Sequence, residues 1–220
     1  RDRLSIVNPK EAEDLVPRIS EYANSQNKVS QADLFSNHPF HARMEKFSRR
    51  ILAPAQEGSF NQTKWFYERA RGQYGDVQAY LTRGEKNAFL AEYPKNQKFA
   101  KTDLAKYAMV WTDKAYFVNR GAQKNFAEFA KEIARMWTEN DFQFNEHYYK
   151  TLIAQKIIWD ATERIIPQME WYEAGGYRSQ HVVLAIGLIA EAARQRKKKV
   201  DFERIWNAQS LDDAFERVIR

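Results

Sequence analysis

Two stretches near the end of the chain constrain the fold most. From Asn145 to Ile166, the side chains of Leu152, Ile153, Ile157 and Ala161 return on one helical face, with Lys156 and Asp160 on its polar flank. From Tyr177 to Lys199, Val182, Val183, Ile186, Ile189, Ala190 and Ala193 repeat the pattern. A helix with one apolar stripe must bury it, and only the loop from Glu170 to Gly176 separates the two, so they are expected to pack as an antiparallel pair. Two short helices, Phe202 to Asn207 and Leu211 to Ile219, are expected to complete this half. The run Arg194-Gln195-Arg196-Lys197-Lys198-Lys199 suits the negative end of a helix dipole and also a polyanion.

Helical signals continue upstream. Asn8 and Pro9 open a helix toward Ala23 that Pro17 should kink, and Ser30 caps a short helix through Leu34 and Phe35. From Phe40 to Leu52, the stripe Phe40, Met44, Phe47 and Ile51 should be buried, leaving His41, Glu45, Arg49 and Arg50 in solvent. Residues 54–63 read as loop. The stretch Trp65-Phe66-Tyr67-Glu68-Arg69-Ala70-Arg71-Gly72-Gln73-Tyr74 fits either strand, from its aromatics, with Trp65, Tyr67, Arg69 and Arg71 on one face, or helix, from Glu-Arg-Ala-Arg, with Trp65 and Arg69 one turn apart; it is taken as strand, and Gly72 and Gly75 should close it. Arg83-Gly84-Glu85 is expected as loop before a helix that ends ahead of Pro94. Lys98 to Lys101 is expected to pair as a short strand. Thr102 should then cap a helix reaching Trp111, with Leu104, Tyr107, Ala108 and Trp111 inward. Asn119-Arg120-Gly121 opens a helix that buries Phe126, Phe129, Ala130 and Ile133. The expected fold class is mainly α: a multi-helix bundle with a small β element near residues 64–71 and 98–101. It is expected as a single domain over residues 1–220, softly subdivided into a basic half, 1–139, and a helical half, 140–220.

Composition bounds the chemistry. With 44% hydrophobic and 14% aromatic residues the chain can fill a core. It has no cysteine, which removes disulfides, thiolate metal sites and a cysteine nucleophile, and fits a cytoplasmic setting. The longest apolar run, Val182 to Ala190, is about half the ~18 residues of a membrane helix, so no membrane partner is expected. No nucleophile elbow, phosphate-binding loop or kinase signature is present, and no cofactor is implied. His38 and His41 lack the i, i+4 spacing and further ligands of a helical metal site, and Glu128 with Lys131 reads as an ordinary helical ion pair.

Charge is uneven. From His38 to Tyr107 there are 13 Lys/Arg against 7 Asp/Glu, a surplus equal to the net +6 of the whole chain. Arg69, Arg71, Lys101, Lys106 and Lys124 are therefore candidates to contact nucleic acid or phosphate, and Gly121 would give an anion access to the amides behind it. Asn24, Gln26 and Asn27, with Glu68 and Asp103, form a second, polar candidate set. Three uses stay open for these groups. They could bind a polyanion, with the aromatics packed behind or stacked on bases. Glu68 and Asp103 could hold a metal beside Lys101 in a nuclease. Or the charges could pair within the protein.

Several pieces together resemble the abortive-infection phage-resistance (AIPR) family. They are Asn24-Ser25-Gln26-Asn27 with Asp33-Leu34, the Trp65 to Tyr74 stretch, Phe99-Ala100-Lys101-Thr102-Asp103-Leu104-Ala105-Lys106-Tyr107, and Gly121-Ala122-Gln123-Lys124-Asn125-Phe126. The resemblance covers most of residues 20–130 and is less specific from Tyr148 onward. It implies a bacterial phage-defence protein. Because members are typically longer, with an upstream region sometimes nuclease-like, it also implies a C-terminal portion with its own N-terminal region as a partner; DNA or RNA is the partner expected from the basic region.

Overall fold

In a computed structural model of the chain, the described residues are 35, 37–56, 58, 60–175 and 177–220. The helix expected from Asn8, the helix start at Ser30 and the run Asn24-Ser25-Gln26-Asn27 lie outside them. The elements are α1 (Pro39–Arg50), β1 (Phe66–Glu68), α2 (Gln73–Ala79), α3 (Arg83–Glu92), β2 (Lys98–Ala100), α4 (Lys101–Met109), α5 (Ala122–Glu139), α6 (Glu146–Ile165), α7 (Arg178–Gln195), α8 (Phe202–Ala208) and α9 (Asp213–Ile219). The protein is mainly α, with one small two-stranded sheet. Among the described residues no helix is long and apolar enough to cross a membrane.

Local chemistry explains the boundaries. Pro39 occupies the first turn of α1, and the imidazole of His38 accepts from the Phe40 amide at 3.2 Å. Thr82 and Glu85 form a capping box, so Arg83-Gly84-Glu85 is the first turn of α3 and not the expected loop. Gly72, at φ 88°, turns the chain out of β1. Gly75 lies inside α2 and ends nothing, because the neighbouring Tyr74 is buried against Phe66 and Tyr93 and holds that turn in place. The start of α4 is Lys101; Asp103 accepts from the Ala100 amide at 3.4 Å, so Thr102 sits within the first turn and does not cap it. Asn145 caps α6, accepting from the Tyr148 amide at 3.1 Å.

The long helix α6 is the centre of the molecule. It packs against α1, α4, α7, α8 and α9, and buries Tyr149, Ile153, Ile158 and Ile165 on more than one side. The single stripe expected for it is therefore too narrow. Lys156, expected on a polar flank, is 5% exposed. Its ammonium reaches Asp160 at 2.5 Å and lies 5.5 Å from the ring centres of both Trp65 and Tyr107, which accept the cation electrostatically. One cluster of buried apolar side chains runs from Phe40 of α1 to Trp206 of α8. A smaller one gathers Phe66, Tyr74 and Tyr93, with Phe89 and Leu90 beside them.

The strands are three residues each and parallel, in the register Phe66 to Lys98, Tyr67 to Phe99 and Glu68 to Ala100. Among the described residues the outer edge of β1 has no third strand. Side chains of α1 take that place: the Ser48 hydroxyl donates to the Trp65 carbonyl at 2.8 Å and accepts from the Tyr67 amide at 2.9 Å, and Arg49 donates to the Tyr67 carbonyl at 3.1 Å. Trp65 extends the tie to the end of the chain, its indole N–H donating to Gln209 at 2.8 Å.

Ser48→Ala leaves the Tyr67 amide unpaired in the interior and the Trp65 carbonyl with only a long bond from the Tyr149 hydroxyl, at 3.4 Å. It is expected to lower the urea unfolding free energy by about 2–4 kcal/mol, against little change for the exposed Arg50→Ala. Equal effects of the two substitutions would show that the edge is held by other contacts.

Candidate functional site

The two strands end side by side, so Arg69 and Lys101 leave the sheet together at its C-terminal edge, with α1 packed along β1. Glu45 of α1 gathers the polar groups there. Arg69 Nε lies 3.0 Å from one carboxylate oxygen, and the Gln73 amide nitrogen donates to the other at 2.6 Å, where Arg49 also approaches at 3.8 Å. Gln73 closes the ring by accepting from the Arg69 amide at 3.2 Å. Arg49 lies over Phe66, 3.6 Å from the ring centre; burial lowers its pKa and Glu45 opposes that, so the guanidinium stays charged.

His41, expected in solvent, is fully buried between β1 and α5. Its Nδ1 is 2.5 Å from the Tyr67 hydroxyl, its ring faces Phe126, and its Nε2 has no hydrogen-bond partner. Burial, reinforced by the positive charges of His38, Lys101 and Arg69, pulls its pKa down to about 3. Burial likewise pushes the Tyr67 phenol well above its usual value. Both rings are neutral at physiological pH, and the bond between them positions α1 on β1 without being poised to exchange protons.

The candidate residues have distinct fates. Glu68 is 6% exposed and accepts from the Tyr74 amide at 2.9 Å, so it anchors the turn into α2. Arg69 is bound to Glu45. Asp103 holds the Ala100 amide with one oxygen and Lys106, at 3.1 Å, with the other. Glu68, Arg69, Lys101, Asp103 and Lys106 thus collect around the strand ends. Arg71 stands exposed in the turn after β1, and Lys124 is exposed in the first turn of α5. Asn24, Gln26 and Asn27 lie outside the described residues. The rings of Trp65, Phe66, Tyr67 and Tyr74 are all buried, which removes them as stacking surfaces for bases. Among the described residues no three His, Asp or Glu side chains come together in a way that could hold a metal ion.

Glu45, Ser48, Arg49 and Gln73 were not among the candidates. Their only signal in the sequence is that Glu45, Ser48 and Arg49 share a helical face with His41, and nothing marks that face as buried.

A family model described as AIPR protein matches residues 3–220, and so spans every candidate residue. No protein of curated function and no solved structure matches the chain.

The unfolded chain takes up a proton at His41 near pH 6.5, whereas the folded chain resists it until about pH 3. The stability that His41 contributes is complete above the first value and declines as pH falls toward the second. His41→Gln, which keeps an acceptor for Tyr67 but does not titrate, is expected to flatten the fall in unfolding free energy between about pH 7 and pH 4. Parallel pH profiles for the two proteins would remove His41 as the acid-sensitive group.

Proposed function

The chain belongs to the AIPR family, and from that premise we propose that it serves bacterial phage defence in the cytoplasm, as a module that contacts nucleic acid or phosphate. The observation that carries this reading is the division among its cations. Arg69 and Lys106 are held by Glu45 and Asp103, while Arg71 and Lys124 are exposed and make no ion pair among the described residues. Lys98, also exposed, lies 5.4 Å from the ring centre of Tyr74 on the same side chain cluster that roots the turn bearing Arg71. A segment with a surplus of positive charge and exposed cations attracts phosphates by its field and by counterion release. Since the aromatics of the Trp65 to Tyr74 stretch are buried, the contact is to the sugar–phosphate backbone and indifferent to base sequence.

A second reading is an interaction domain that packs on an N-terminal region of a longer protein. It is favoured by the internal partners of Glu68, Arg69 and Asp103, none of which needs a ligand to be satisfied. A metal-dependent nuclease built on Glu68 and Asp103 has less support, because the Tyr74 amide and Lys106 already engage those carboxylates.

Fluorescence anisotropy with labelled single-stranded DNA and RNA of scrambled sequence tests the first reading. Binding is expected at low salt with little sequence preference, and Arg71→Ala with Lys124→Ala is expected to reduce the slope of log K against log salt by about 1.4, near 0.7 for each lost phosphate contact. Absence of binding at low salt, or a slope unchanged in the double variant, would favour the interaction domain.

A further inference from the structure

The rings between Trp65 and Tyr74 are buried, but two other tyrosines near the phosphate contacts are not. Tyr80 follows α2 directly and is 92% exposed, and Val77, one turn earlier, is 42% exposed. The turn at the other end of α2 carries Arg71, and a helix of 7 residues is only about 10 Å long. The lobe that α2 and α3 form already has an aromatic core in Phe66, Tyr74 and Tyr93, with Phe89 beside them. Tyr80 takes no part in that core and makes no hydrogen bond among the described residues. Arg83 and Lys86, in the first turn of α3, are exposed and make no ion pair among the described residues. From Arg71 to Lys98 five Lys/Arg stand against three Asp/Glu. Two of those acids are already engaged, Glu85 by Thr82 and Glu92 by Lys64, so the positive surplus available to a ligand is larger than the count.

The same combination stands ahead of Lys124. Tyr116, 53% exposed, belongs to the 3-10 helix Ala115–Arg120, which leads through Gly121 into α5. The guanidinium of Arg120 lies 5.1 Å from the ring centres of Tyr116 and Phe117, is exposed, and makes no ion pair among the described residues. Single exposed aromatics are ordinary on protein surfaces. Here each of the two cations that carry the phosphate contact, Arg71 and Lys124, has an exposed tyrosine and a further unpaired arginine close by in the chain. Cations that hold a phosphate backbone beside a free ring let an unpaired base lie on that ring, and because every base has a π-face such stacking is indifferent to sequence. In a duplex the base faces are covered by their neighbours, and the ring has nothing to stack on. We propose that Tyr80 and Tyr116 are base-stacking platforms and that the partner is a single-stranded nucleic acid whose phosphates meet Arg71, Arg83, Arg120 and Lys124. Stacking of this kind rests on the phosphate contact proposed above and adds to it the class of nucleic acid.

Fluorescence anisotropy tests this with a labelled single strand of mixed sequence, an abasic strand of equal length, and the first strand annealed to its complement. At low salt the base-bearing strand is expected to bind about tenfold tighter than the abasic strand, which carries the same phosphates. Tyr80→Ala and Tyr116→Ala are each expected to weaken the base-bearing strand about fivefold or more, and to leave the abasic strand and the duplex unchanged. Tyr80→Phe, which keeps the ring, should bind as the unaltered chain does. Tyr80 stands in solvent, so its replacement removes no core contact, and circular dichroism checks that each variant is folded. Equal binding of the base-bearing and abasic strands, no effect of either alanine variant, or an equal loss for the duplex would overturn the stacking and leave the phosphate contact standing. No binding of any of these partners at low salt would remove both.

Discussion

The Ser48 hydroxyl holds β1 in place. Its three hydrogen-bonding positions are filled by the Trp65 carbonyl, the Tyr67 amide and the Arg49 guanidinium, and the first two are what a neighbouring strand would otherwise supply. Parallel strands of three residues have little pairing of their own, and an unpaired edge in the interior would carry the full cost of dehydrated backbone groups. A helix substitutes for the strand. Once Ser48 is seated, His41 meets Tyr67, Arg49 lies on Phe66 and Glu45 reaches Arg69, because residues 41, 45, 48 and 49 follow one another on a single helical face.

That face also marks the limit of sequence periodicity. The stripe Phe40, Met44, Phe47 and Ile51 is legible because apolar side chains declare their burial, and it does pack against the main core. The adjacent face carries His, Glu, Ser and Arg, which have the look of a solvated surface, and only the strand laid against it shows otherwise. Lys156 was hidden for the same reason: an ammonium between two aromatic rings and a carboxylate is sheltered by long-range contacts that no spacing rule encodes. By contrast α6, α7 and the pairing of β1 with β2 were readable, since each rests on local periodicity or on a run of aromatics. Arg83-Gly84-Glu85 carries the glycine of a loop, but the capping box of Thr82 and Glu85 starts a helix there.

For the charged residues, the sequence does not show which are engaged within the protein and which are not. Glu68, Arg69 and Asp103 look alike, on paper, to groups awaiting a ligand, yet each fastens one element to the next: β1 to α2, β1 to α1, and β2 to α4. What is left over is a smaller set of cations at the periphery.

The side chains of β1 face two different interiors. Tyr67, with Trp65 just ahead of the strand, enters the main core, while Phe66, between them, enters the small cluster with Tyr74 and Tyr93. A strand that is apolar on both faces would ordinarily be free to slide by one residue, because either face could be buried. Here a slip would put a phenol where a phenyl ring belongs and strip the Ser48 hydroxyl of both its backbone partners. The alignment of these three residues is therefore specified twice, by the shapes of two cores and by one hydroxyl, and so short a strand can hold a single register.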